Sequence, residues 1–189
     1  MPHGNHLSKT AAGMVAVFLF VYWALPSNPI DLGPTTSSEQ QYRGAFHVHS
    51  VKSDGGGTVA EIATAARSAN LDFVILTDHG DGTEFIAPQY IDDILILNGV
   101  EISTNGGHYI AIGMPQAPYP LGGDARGVVE DVRRLGGFGV IAHPYSPREA
   151  LRWQDFTLPV DAIEWINGDS QWRASVSYTH LRAHETEAA

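Results

Sequence analysis

The sequence predicts an α/β fold whose parallel strands form a barrel-like sheet. Short apolar runs alternate with segments of helical period, as in chains built from β-α units. Histidines and carboxylates stand at the ends of successive runs, as on the active face of a barrel. With 189 residues, the chain is long enough for one domain with a sizeable core.

Taken in order, residues 1–26 hold an apolar stretch from Ala11 to Leu25, flanked by Lys9 and Pro26. The stretch falls slightly short of the roughly 17 residues a spanning helix needs at minimum. Three readings stay open: an uncleaved signal anchor, a cleaved signal peptide and a buried helix. The first two put the domain outside the cytoplasm, anchored to the membrane or secreted. Residues 27–42 read as a linker, rich in Pro, Ser and Thr and without periodicity. The domain itself is expected over 43–174.

Ala45 to Ser50 reads as the first strand, with alternation placing His47 and His49 on one face. Asp54 and the glycines after it form a flexible turn. Thr58 opens a helix with Glu61 as its capping-box partner; Val59, Ile62, Ala66 and Ala69 supply the apolar stripe, and Asn70 is the stop. Phe73 to Leu76 reads as a strand buried on both faces, ending at Asp78 and His79. Ile94 to Leu97 repeats the pattern and leads to Glu101, and Tyr109 to Ile112 follows His108. Asp124 caps a second helix with Val128, Val132 and Leu135 inward and Gly136 as the stop. Phe138 to Ala142 ends at His143, and Ala162 to Asn167 looks like one more strand. Glu164 and Asn167 at its end read as capping and core hydrogen-bonding residues.

Imidazole and carboxylate are the ligands that zinc, iron and manganese accept. The chain has no cysteine, so every metal ligand must be nitrogen or oxygen. Burying so many ionisable groups without partners is costly, which favours a shared metal role over separate structural ones. A polynuclear site and a metallohydrolase follow. A formal net charge of −10 with no Lys/Arg cluster speaks against a nucleic-acid partner.

As a set, His47-Val-His49 with Ser53-Asp54-Gly55, Thr77-Asp78-His79, Gly99-Val100-Glu101, the lone His108 and Ala142-His143-Pro144 resemble the PHP family, the polymerase and histidinol phosphatase domains. The resemblance spans roughly Ala45 to Asn167. It implies a distorted TIM-like (β/α)7 barrel holding two or three divalent ions (Zn, Mn or Fe) and hydrolysing phosphoesters. By resemblance, His47, His49 and Glu101 hold one metal, and Glu101 bridges to a second completed by His108 and His143. Asp54 and His79 hold a third. Asp78 orients or polarises a ligand from behind, and Arg148 is placed to meet a substrate anion.

One departure is evident. The family's late Asp-x-His motif is absent, so the barrel is expected to be incomplete, with about five strands and an exposed edge. The tail over 175–189 does not continue the family pattern, and His180 and His184 within it are not expected to bind metal. The function expected is hydrolysis of a small-molecule phosphate ester. The alternatives are a non-phosphate ester or carbamate hydrolase, or an inactive fragment.

Overall fold

The computed structural model of the chain describes residues 41–168. The expected N-terminal hydrophobic helix and the atypical tail lie outside the described residues. The architecture is mixed α/β, with one curled, open sheet resembling half of a barrel. It has strands β1 (Gly44–Val48), β2 (Phe73–Leu76), β3 (Gln89–Ile91), β4 (Ile94–Thr104), β5 (Gly107–Ile112), β6 (Phe138–Ile141) and β7 (Ala162–Ile163). Helices α1 (Val59–Ser68) and α2 (Ala125–Arg134) connect them, with a single 3-10 turn at Glu149–Leu151. The spatial order is β1-β2-β4-β5-β6-β7, with β3 on β4.

The sheet has seven strands where about five were expected, and it is not all parallel. β1, β2 and β4 are parallel neighbours, as are β6 and β7. β5 runs antiparallel to both β4 and β6, and β3 is antiparallel to β4. The physical reason is two tight hairpins. Asn105 and Gly106 turn β4 directly into β5, and Asn-Gly is a strong short-range hairpin signal. Asp92 and Asp93, both with positive φ (49° and 67°), turn β3 into β4 as a type I′ turn does.

β4 organises the sheet. Its first half pairs with β2, and its second half, from Gly99 to Thr104, pairs with β5. Two main cores follow from that split. Val74, Leu76, Ile94 and Ile96 pack with Ala63 and Ala66 of α1. Ile102, Tyr109 and Ile141 pack with Val128, Val129 and Val132 of α2 and with Trp153 and Leu158. Ile110 and Val140, out of phase with Tyr109 and Ile141, point to the opposite face and join Ala142.

Both helix starts form as expected. Thr58 Oγ1 accepts from the Glu61 amide at 3.3 Å, and Glu61 Oε2 accepts from the Thr58 amide at 2.8 Å. Asp124 accepts from the Gly127 amide at 2.8 Å. The stripe of α1 holds at Val59, Ile62 and Ala66 and includes Ala63, whereas Ala69 is exposed because it caps the end of the helix.

Among the described residues no helix is long and apolar enough to cross a membrane. The residues expected to anchor the chain are not among them. The expectations of a membrane partner and of an anchored, extracytoplasmic location are therefore withdrawn.

Candidate metal centre

Strands and the loops that follow them bring seven ligand-type side chains to one place, centred on Glu101. This residue lies mid-way along the second half of β4 and is 1% exposed. Its backbone is gripped by the segment after β2: the Glu101 amide donates to the Asp78 carbonyl at 3.2 Å, and the Gly80 amide donates to the Glu101 carbonyl at 3.1 Å. That pairing carries His79 alongside Glu101. On the other side, the Ala142 amide donates to the His108 carbonyl at 3.2 Å, which brings His143 level with His108.

Five imidazoles converge on the Glu101 carboxylate. At Oε1 stand His108 Nδ1 (2.8 Å) and His143 Nε2 (2.9 Å). At Oε2 stand His49 Nε2 (3.0 Å), His47 Nε2 (3.2 Å) and His79 Nδ1 (3.5 Å). Asp54 closes the exposed side, its Oδ1 lying 2.8 Å from His49 Nδ1 and its Oδ2 3.6 Å from His79 Nε2. The rings are close neighbours, with His49 and His79 centroids 4.8 Å apart and His108 and His143 centroids 5.1 Å apart.

His108 reaches the site by a route the strand-end rule does not describe. It opens β5 instead of ending a strand, and the antiparallel direction brings that opening to the same end of the sheet. Nor does simple alternation place His47 and His49. The register of β1 shifts between Ala45 and Val48, and His47 has φ 60°. This bulge turns the His47 ring onto the same Glu101 oxygen as His49.

The Asp78 carboxylate is engaged outside the Glu101 cluster. It accepts from the Ser50 amide (2.7 Å), the Ser50 hydroxyl (2.7 Å) and the Ser53 hydroxyl (2.8 Å), and so fastens the loop after β1. Ser53 Oγ lies 3.2 Å from His49 Nδ1, so the tether ends on a ring of the cluster. The same loop needs glycine at Gly55, where a Cβ would collide with the His49 carbonyl. Arg148 is exposed, and its amide donates to Ser146 Oγ.

Glu164, read from the sequence as a capping and core residue, belongs to this centre. It is buried, and its Oε1 lies 3.1 Å from His47 Nδ1. The two residues are far apart in the chain, so only the topology could reveal the contact.

The electrostatics reflect the crowding. Burial opposes ionisation of Glu101, yet hydrogen bonds from His108, His143, His47 and His49 hold its carboxyl far below the usual range. Burial likewise opposes a charge on His47, but Glu101 and Glu164 outweigh it and push the imidazole up to about 9. Glu164 and Asp78 are both shifted down. Burial opposes these shifts, and hydrogen bonds from His47 and from Ser50 and Ser53 respectively overcome it.

This donor set fits divalent cations. A carboxylate offers about four lone-pair directions, and five imidazoles crowd this one. His143 Nδ1 is buried without a hydrogen-bond partner. Two groups already bring one ligand atom each to within 4.8 Å of one another: His47, Glu101 and His143, and His49, His79 and Glu101. A cavity of about 430 Å³ adjoins the centre on the His79 side, lined among others by Lys52, Asp78, Gly80, Thr83 and Asn98.

No family profile matches the chain. An uncharacterised protein of Methanocaldococcus jannaschii is 29% identical over 112 residues, covering 56% of this chain and 64% of its own length. Among solved structures, a protein of Bifidobacterium adolescentis assigned by inference as a metal-dependent phosphoesterase superposes with a TM-score of 0.53 at 15% identity. The match covers 75% of this chain and 85% of that one. A two-domain protein of Bacteroides vulgatus containing a PHP-like metal-dependent phosphoesterase matches at 22% identity and TM-score 0.43. The fold is PHP-like. The chain spans 64% of the length of its curated relative and 40% of the Bacteroides protein.

Endonuclease Q also matches this PHP-like chain, at 16% identity and TM-score 0.45 over 38% of its own length. Its crystal structure holds a 27-mer duplex with an abasic lesion at the active site. The exclusion of nucleic acid drawn from net charge is withdrawn. The charge of a whole chain does not describe a site in which cations would face the phosphate.

Proposed function

We propose that this chain is a metal-dependent hydrolase of phosphate esters. The observation that carries the reading is the convergence of five imidazoles on the buried Glu101 carboxylate. His47 and His49 with Glu101 would hold one ion, His108 and His143 with Glu101 a second, and Asp54 with His79 a third. The partition of the two Glu101 oxygens supports keeping His108 and His143 apart from His47 and His49, while His79 shares Oε2 with the latter pair. Nitrogen and oxygen donors without sulfur suit Zn, Mn or Fe.

Bound divalent ions supply Lewis acidity and water acidified to near neutral pH. The residues do the rest. Glu101 would offer its two carboxylate oxygens to the ions and offset part of their charge. Asp78 fixes the loop that carries Asp54, the most exposed of the ligand candidates, at the open side of the centre. Arg148, shortly after His143, is proposed to meet the substrate's phosphate. The cavity beside His79 has the size of a small-ligand pocket and would receive the ester group.

The test is hydrolysis of aryl phosphate mono- and diesters by the purified chain. Turnover should vanish on chelation, return with Mn²⁺ or Zn²⁺, and fall on the order of 100-fold or more in Glu101→Gln. Unchanged turnover in that variant contradicts the proposal. Turnover of aryl carboxylic esters alone would move the reading to non-phosphate esters.

A further inference from the structure

Glu164 touches two residues that share an unusual backbone. Five non-glycine residues among those described have positive φ. Asn70, Asp92 and Asp93 lie in turns, where such residues adopt that conformation readily. The other two are His47 (φ 60°), inside β1, and His143 (φ 28°), which precedes the central residues of the 143–146 turn. Left-handed backbone at a residue with a Cβ is strained and persists only when its surroundings hold it.

The same carboxylate holds both. Glu164 Oε1 lies 3.1 Å from His47 Nδ1, and Glu164 Oε2 accepts from the His143 amide at 2.6 Å. Glu164 is itself fixed: its amide donates to the Ile141 carbonyl at 3.0 Å, and Asn167 Nδ2 donates to its Oε1 at 3.1 Å. His47 belongs to β1 and Glu164 follows β7, so the contact joins the first and last strands in the spatial order of the open sheet. A carboxylate on Nδ1 also selects the proton position of the ring. Without metal both ring nitrogens face carboxylates; with an ion between Nε2 and Glu101, Glu164 would keep the hydrogen on Nδ1 and leave the Nε2 lone pair for the ion.

We infer that Glu164 is the positioning residue of the metal centre, which fixes the His47 tautomer and holds His47 and His143 in their left-handed conformations. It does not act as a ligand. The inference rests on the proposed metal site and extends it to a residue outside the ligand set. Hydrogen-bond partners behind metal-bound imidazoles typically contribute 10–100-fold to affinity, roughly the loss expected on removing this one.

The experiment uses the full chain and Zn²⁺ alone, without substrate. Zinc affinity is measured by competition with a chromophoric chelator. In parallel, the imidazole N–H protons of the zinc-loaded protein are observed by NMR with labelled histidine. Wild type should show a slowly exchanging Nδ1–H on His47. Glu164→Ala should lose that signal and bind zinc roughly 10–100-fold more weakly. Glu164→Gln, which can accept at only one of the two contacts, should fall between them.

If Glu164→Ala does not fold, Glu164→Gln and Asn167→Ala carry the test, with faster exchange of the same proton expected in both. Wild-type affinity and an unchanged His47 signal in the folded variants would overturn the inference alone. Failure of wild type to bind zinc would overturn it together with the metal site.

Discussion

His108 Nδ1 lies 2.8 Å from Glu101 Oε1 across the β4–β5 hairpin. Glu101 pairs with Ile110 and His108 with Ser103, so the two are diagonal neighbours on one face. A tight turn thereby builds half of the Glu101 environment from residues close in sequence, before any long-range strand contributes. His108→Ala should lower the bound metal by about one ion per chain while leaving the fold intact, because the hairpin backbone does not depend on the ring. Elemental analysis beside a thermal melt checks this; undiminished metal content would remove His108 from the centre.

The proton on His47 competes with metal. Burial opposes that charge, but Glu101 and Glu164 raise the imidazole from 6.5 to about 9, so the metal-free site holds a proton at neutral pH. Metal binding must expel it. Zinc affinity should therefore keep rising with pH until about 9 and then level off. The metal-free fold should lose His47's stabilising contribution over the same interval, from 6.5 up through about 9, since the raised folded pKa helps only while the ring is protonated. Affinity independent of pH between 7 and 9 would contradict the shift.

Asp78 is expected to act through the loop it fastens. Asp78→Asn removes the charge that holds the Ser50 amide and the Ser50 and Ser53 hydroxyls. The number of bound ions should stay the same while affinity falls by roughly 10-fold. Isothermal titration distinguishes the two quantities; loss of a whole ion equivalent would instead make Asp78 a ligand.

Trp153 anchors the half of the core on which β5 and β6 rest. It is fully buried and stacks on Tyr109 with ring centroids 5.5 Å apart. Trp153→Ala should destabilise the protein by about 3–5 kcal/mol. Denaturant unfolding measures it, and a loss below about 1 kcal/mol would mean that this cluster can collapse into the space.

The residues that cluster around Glu101 were legible in the sequence because imidazoles and carboxylates at the ends of apolar runs have few uses that repay their burial. The helix starts were equally legible, since Thr58 with Glu61 and Asp124 are local signals satisfied within one turn. The direction of β5 was misread although Asn105-Gly106 signalled a hairpin, because the run after His108 looks the same read in either direction. The bulge at His47 carries no local signature and is imposed by the surrounding sheet. Glu164 was read as a capping residue because its partners, His47 and the His143 amide, come together only once β1 and β7 reach the same end of the sheet. Net charge does not decide a nucleic-acid partner, because it averages over a surface, whereas recognition is decided at one site.

The most direct test of the Glu101-centred site is the metal content of the purified full chain beside that of Glu101→Gln, by elemental analysis after exhaustive buffer exchange. Two or three divalent ions per wild-type chain, falling below one in the variant, is the result the account predicts. Fewer than one ion per wild-type chain, or equal content in the two proteins, would contradict it.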